Sequence, residues 1–252
     1  MKKKIKSENC ALITGAAKRI GREMALILAS RGFDIVISYN KSQKEAQELV
    51  VEIEEKYQVN CTIFKSDLTK ISEAKKLINF VQKNFKHCNL LINNASIFRK
   101  STFFCDNEDE QELMDNLNIH FLSPLILSKA FAKFAGKDAQ IINMIDKNIA
   151  RFDTSYFYYL LSKKALADLT KMLALQLAPK IRVNAIAPGI ITDFIDNSLS
   201  NEQMQKIIKK IPLSKKGEIK NITQSLEFLL DNNFVNGQIL SIDGGASLNH
   251  AG

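Results

Sequence analysis

Leu12-Ile13-Thr14-Gly15-Ala16-Ala17-Lys18-Arg19-Ile20-Gly21 reads as a strand end, a glycine-bearing turn and a helix start. Such a turn lets backbone N–H groups and the positive end of a helix meet a pyrophosphate. A short glycine motif carries little weight alone, because turns need glycine anyway. Its weight comes from position, directly after the first apolar run of the chain. Outward from it, short apolar runs alternate with longer amphipathic segments. Strands are expected at 11–14, 34–39, 61–64, 90–93, 140–144, 182–187 and 238–242. Helices are expected at 19–30, 43–57, 71–85, 109–134, 156–177 and 222–230. Continuously apolar strands separated by helices belong to a parallel sheet covered on both faces. With right-handed crossovers the pattern gives a doubly wound α/β fold of about seven strands, one Rossmann-type domain over residues 1–252. Residues 190–217 break the alternation. They are polar and lysine-rich, with a short helix expected at 201–210, and read as a substrate lid at the carboxyl end of a strand.

Composition is that of an ordinary globular chain: 46% hydrophobic, 25% charged and no tryptophan. The net charge of +8 raises the question of nucleic acid, membrane surfaces or anionic small ligands. Only six of the 35 basic residues are arginine and the lysines scatter over helix faces, so nucleic acid is not expected as a partner. Cys10, Cys61, Cys88 and Cys105 form no C-x-x-C pair, and His87, His120 and His250 are dispersed. No metal site or disulfide framework is expected, and the usage fits a reducing cytoplasm. The basic start mimics a signal peptide, but its apolar run is short and ends in Thr14-Gly15. No stretch approaches the ~18 apolar residues of a membrane span.

Tyr159 and Lys163 fall at i and i+4 on an expected helix, and so on one face. A free tyrosine titrates near ~10 and donates poorly at neutral pH. An ammonium ~5 Å away, at an effective dielectric of ~20, stabilises the phenolate by roughly 3 kcal/mol, or about two pKa units. The pair therefore reads as a proton donor. Upstream, at the end of the fifth strand, stands Asp146. An ionised aspartate only accepts hydrogen bonds and repels a developing oxyanion. It suits a ligand N–H, or a proton on its way to a ring nitrogen. As a bland alternative, Asp is also a common turn residue. The second strand ends in Asn40-Lys41-Ser42 with no acid to hold a ribose 2′-OH, so a 2′-phosphate, and hence NADP(H), is expected there.

These segments together resemble the short-chain dehydrogenase/reductase superfamily over nearly the whole chain. The turn resembles its T-G-x-x-x-G-x-G, with Arg19 at the middle glycine; T-G-A-A-K-R-I-G resembles the pteridine reductase branch. Tyr159-Leu160-Leu161-Ser162-Lys163 resembles its Y-x-x-S-K, and Asn93-Asn94-Ala95 its N-N-A-G. The resemblance implies a homotetramer. It implies cofactor contacts from Gly15, Arg19 and Ile20, from Asn40, Lys41 and Ser42, and from Asp67 and Leu68. It adds Asn94, Ala95 and Ser96, then Pro188 and Gly189, and Tyr159 and Lys163, with Lys163 on the nicotinamide ribose. Most members carry serine at position 146; pteridine reductases and the similar dihydromonapterin reductases share the Asp. In that branch Ser96 and Phe98 would meet the pterin, with Arg19, Asp146 and Tyr159 completing its site. The catalytic set is then Asp146, Tyr159 and Lys163. Two further positions depart from the superfamily pattern: Asp193 stands where a threonine is usual, beside Thr192, and His120 where an asparagine is usual. His120 is left outside the catalytic set, as a structural residue. The implied activity is NADPH-dependent reduction of a dihydropterin or dihydrofolate to its tetrahydro form. The competing expectation is a carbonyl reductase such as a 3-oxoacyl-[acyl-carrier-protein] reductase, which an acidic carrier and a basic surface would suit.

Overall fold

Seven parallel strands form one sheet in the order β3-β2-β1-β4-β5-β6-β7. The computed structural model describes residues 9–103, 109–191 and 200–249. The strands are β1 (Cys10–Ile13), β2 (Asp34–Tyr39), β3 (Cys61–Lys65), β4 (Cys88–Asn93), β5 (Ala135–Met144), β6 (Ile181–Pro188) and β7 (Ile239–Ile242). The helices are α1 (Arg19–Ser30), α2 (Gln43–Tyr57), α3 (Ile71–Asn84), α4 (Asp109–Leu117), α5 (Ser123–Phe134), α6 (Phe157–Leu177), α7 (Asn201–Lys209) and α8 (Ile219–Asp231). The expected doubly wound fold is therefore present. Most bounds fall within two residues of expectation, and three differences are larger. The long helix at 109–134 is divided by a π-turn at Asn118–Leu122. β5 begins five residues early, where Ala135 pairs with Cys88 across an irregular register. α8 begins at Ile219, because Glu218 and Asn221 cap each other reciprocally.

Alternation along the strands separates two apolar layers. Ala11, Ile13, Ile35, Ile37 and Ile92 pack on one side with Met24, Leu28, Leu49, Ile53 and Leu226 from α1, α2 and α8. Leu12, Val36, Leu91, Ile141 and Val183 pack on the other with Leu77, Val81, Leu127 and Phe131 from α3 and α5. Each such buried side chain contributes about 1.5–3 kcal/mol of transfer free energy. Both faces are dry, which is why the strands read as unbroken apolar runs.

Strand order reverses at β1, whose neighbours are β2 and β4. The connections leaving β1 and β4 diverge to opposite faces, and a crevice opens at their carboxyl ends, where open α/β sheets bind ligands. The insert after β6 is closed at its base by a bridge between Ile191 and Gly217 and by Gly217 N–H donating to the Ile190 carbonyl at 2.9 Å. It carries α7, one residue shorter than expected. Thr192 and Asp193 lie outside the described residues, as do Cys105 and His250. Among the described residues, no helix is long and apolar enough to cross a membrane, and no cluster of His, Cys, Asp or Glu could hold a metal.

Candidate active site

The crevice holds a cavity of about 600 Å³. Its floor is the turn after β1. Gly15 sits at φ +63°, and a Cβ there would stand 2.8 Å from the Ala95 Cα, so only glycine fits both the conformation and the space. Gly21, in the first turn of α1, would drive a Cβ to 2.6 Å from the Asn94 amide. This close approach is locked by hydrogen bonds. Thr14 Oγ1 accepts from the N–H groups of Asn94 and Ala95 at 2.9 and 3.0 Å. The Asn94 amide donates back to the carbonyls of Thr14 and Gly15 at 2.9 and 3.0 Å. Thr14 was not singled out from the sequence. Its place in the strand–turn motif is a signal that its hydroxyl has work beyond the strand.

The other expected nucleotide residues line the same cavity: Arg19 and Ile20 from α1, Asn40, Lys41 and Ser42 after β2, Asp67 and Leu68 after β3, and Ala95 and Ser96 after β4. Asp67 takes the hydroxyl of Thr69 at 2.8 Å, which holds the β3 turn in shape. No carboxylate follows β2, while Lys41 stands at the cavity edge. The glycine cradle, the start of α1 and Lys41 thus fit a dinucleotide with a 2′-phosphate. Arg19 is exposed and holds a left-handed backbone, φ +57°. A non-glycine residue there costs about 1 kcal/mol, and such strain persists where a side chain has a use. Pro188 and Gly189 end β6 against β7, with Gly189 N–H donating to the Ile242 carbonyl at 2.9 Å. They sit outside the lining of this cavity.

Beyond Ser96 the site is made of side chains. α6 presents Tyr159 and Lys163 from one face, and both are buried. Tyr159 Oη donates to Asp146 Oδ2 at 2.9 Å. The other carboxylate oxygen accepts from Asn148 N–H at 2.7 Å and caps the short 3-10 turn Lys147–Ala150. Asp146 thus follows β5 as a turn former, one of its two sequence readings, and also faces the phenol. Lys163 Nζ donates to the Met144 carbonyl at 2.8 Å and lies 5.8 Å from the Tyr159 ring centre.

The electrostatics correct one expectation. Lys163 was expected to pull the phenol toward neutrality. Instead burial, then the charge and hydrogen bond of Asp146, push Tyr159 well above its usual range. Burial lowers Lys163 to about 8, with Asp146 opposing. The carboxylate touches the hydroxyl while the ammonium is held off on a backbone carbonyl, so the acid wins. Tyr159 is a neutral phenol whose proton is already directed at an acceptor.

Phe98 stacks on Tyr156 with ring centres 4.4 Å apart and meets Tyr159 edge-on at 4.9 Å. Its ring is 59% exposed, unusual for phenylalanine, and forms a free aromatic wall over the phenol. Tyr156 is the support of that wall. His120, set apart as structural, is 1% exposed within the π-turn and bridges Ser96 Oγ at 2.7 Å and Ser162 Oγ at 2.9 Å. Burial, then the Lys163 charge, hold it well below the ordinary imidazole range, so it is neutral.

The family model described as enoyl-(acyl carrier protein) reductase matches residues 15–247. The 3-oxoacyl-[acyl-carrier-protein] reductase FabG of Buchnera aphidicola subsp. Baizongia pistaciae is 35% identical over 246 residues, covering 95% of this chain and 97% of that protein. The protein of the same description from Staphylococcus epidermidis is 30% identical over 238 residues, covering 93% and 97%. FolM alternative dihydrofolate reductase 1 from Brucella canis, solved in complex with NADP, superposes with a TM-score of 0.88 at 29% identity, covering 98% of this chain and 97% of that one. The matched span takes in the glycine cradle, the Tyr159–Lys163 pair and the closing strand alike, and the chain belongs to the short-chain dehydrogenase/reductase superfamily, whose reductases use NAD(P)H.

Proposed function

We propose that this oxidoreductase is an NADPH-dependent pterin reductase, taking a dihydropterin or dihydrofolate to its tetrahydro form. The observation that carries the reading is the 2.9 Å hydrogen bond from Tyr159 Oη to Asp146 Oδ2. A carbonyl reductase needs donors around an oxygen that becomes negative. Here the phenol is flanked by a carboxylate that only accepts and would repel that oxygen. A reducible ring nitrogen suits both groups. Negative charge developing on nitrogen is more basic than on oxygen, so a phenol made less acidic by burial still serves as donor. Asp146 then accepts from a neighbouring ring N–H. Phe98 and Ser96 bound the place where a flat heterocycle would lie, and Arg19 stands at the phosphate side of it.

The glycine cradle and Lys41 would hold NADPH, which when bound would supply the hydride. Tyr159 gives its proton to the ring nitrogen, and the Lys163 ammonium stabilises the phenolate that remains. FolM, similar to this chain along its whole length, is described as an alternative dihydrofolate reductase complexed with NADP, which supports the same reading. Residues 190–217 would serve as the substrate lid of a single 252-residue domain. The exposed Leu161, Met172 and Leu175 on α6 would pack in a homotetramer, in a cytoplasmic setting.

A second reading keeps a specific support. The relatives at 35% and 30% identity are described as 3-oxoacyl-[acyl-carrier-protein] reductases. NADPH oxidation by the purified protein with dihydromonapterin, dihydrobiopterin, dihydrofolate and acetoacetyl thioester separates the two. Turnover of at least one pterin above the thioester is expected. Thioester turnover with none for any pterin would overturn the first reading.

A further inference from the structure

Protons can be assigned along the Ser96–His120–Ser162 chain by elimination. The Ser162 hydroxyl has one hydrogen, and it goes to the Tyr159 carbonyl at 2.7 Å. Toward His120 Nδ1, 2.9 Å away, Ser162 Oγ can therefore only accept. The Asn116 carbonyl, a pure acceptor, also lies against the ring. Nδ1 must carry the hydrogen. A neutral imidazole then has a bare Nε2, and the Ser96 hydroxyl 2.7 Å away must donate to it. The alternative use of that hydrogen, the Ile97 carbonyl at 3.3 Å, is the longer contact. Choosing it would leave Nε2 as donor and turn the Nδ1 lone pair onto the Ser162 oxygen, which has no hydrogen left to give. Only a doubly protonated ring escapes that conflict, and burial beside Lys163 disfavours a second charge.

We infer that His120 is a positioning residue that fixes Ser96 Oγ as a hydrogen-bond acceptor toward the cavity, so the ligand must present an N–H or O–H donor there. Ser96 lines the cavity, and its single hydrogen is spent behind it. Ser96 and Asp146 then act alike: two acceptors on the rim of the site, a pattern that fits an amino-substituted nitrogen heterocycle and fits a keto oxygen poorly. The inference deepens the pterin reading and rests on it for the identity of the ligand, though the tautomer itself does not. It also explains why a histidine, and not a two-atom-shorter side chain, spans from α6 to the β4 turn.

Two measurements test it. Long-range 15N NMR of histidine-labelled protein at neutral pH, with His120 assigned by its loss in His120→Gln, should show Nδ1 protonated and Nε2 bare. An Nε2–H tautomer or a doubly protonated ring overturns the inference whatever the substrate proves to be. In the second, KM and kcat for dihydrofolate or dihydromonapterin are measured in a cycle of His120→Asn, His120→Gln and Ser96→Ala. An Asn amide reaches only the Nδ1 position, whereas a Gln amide oxygen reaches that of Nε2. His120→Asn should raise KM about tenfold with kcat little changed. His120→Gln should stay near wild type, and the Asn effect should vanish in the Ser96→Ala background. An equal effect of His120→Asn with and without Ser96, or Gln no better than Asn, overturns it. Absence of pterin turnover in the wild type instead sinks the functional reading, and the tautomer still decides the role of His120.

Discussion

The two ends of the crevice solve different problems with different materials. The nucleotide end, from Thr14 to Ala95, is backbone: a left-handed glycine, a helix start and two loops hydrogen-bonded to each other. The proton end, from Ser96 to Lys163, is side chain: a phenol, a carboxylate, an ammonium and an imidazole, mostly buried and each held by a partner. Backbone recognition tolerates many sequences so long as two glycines stay. The proton end tolerates few, because its polarity is set by individual donors and acceptors. On the proposed reading, one architecture keeps a cofactor site constant while the aspartate at position 146 selects the atom that is protonated.

Substitutions at the two ends should break it in different ways. The largest effect belongs to Tyr159→Phe, which removes the transferable proton and leaves the cradle intact. Steady-state kinetics should show kcat reduced about a thousandfold, while NADPH titration by fluorescence shows an unchanged Kd. Gly15→Ala should do the reverse. A Cβ at 2.8 Å from Ala95 in a left-handed backbone displaces the welded loops. NADPH Kd should rise about a hundredfold, with a loss of about 2 kcal/mol or more in denaturant unfolding. Lys41→Ala tests a finer point at the same end. It should weaken NADPH about tenfold and leave NADH unaffected; equal loss for both would remove Lys41 from the 2′-phosphate.

A further effect lies in Lys163 and appears in stability instead of in kinetics. Its folded pKa is about 8 against 10.5 for an ordinary lysine. Below pH 8 both folded and unfolded chains carry the proton, and the fold bears the cost of a buried charge. Between about 8 and 10.5 the unfolded chain binds more protons, so this group's contribution to stability rises with pH. Subtracting melts of Lys163→Met from those of wild type should show that rise. A flat difference would mean that the ammonium is not desolvated as its setting requires.

The nucleotide end was legible in the sequence because its signals are local. Glycine spacing and the apolar run before it placed α1 and α2 at their observed bounds. The Tyr159–Lys163 pair was legible for the same reason, being one helical turn. The contacts missed are long in sequence. His120 and Ser96 lie 24 residues apart, and His120 sits in a π-turn within the helix that periodicity drew as continuous. The sign of the Tyr159 shift was missed because spacing gives a distance to Lys163 but neither the burial of the phenol nor the carboxylate of Asp146 that touches it. The early start of β5 was hidden by Lys137 and Asp138, polar residues at a strand edge where no apolar run announces pairing.

Asp146 is the residue on which the account turns, and Asp146→Ser tests it most directly. Wild type and variant are compared for NADPH oxidation with dihydrofolate or dihydromonapterin and with acetoacetyl thioester, with NADPH affinity measured alongside. If the carboxylate selects nitrogen, the variant binds NADPH as before, loses about a hundredfold in pterin kcat/KM and gains on the thioester. Pterin turnover that survives the substitution, or a thioester rate that falls with it, would contradict the account.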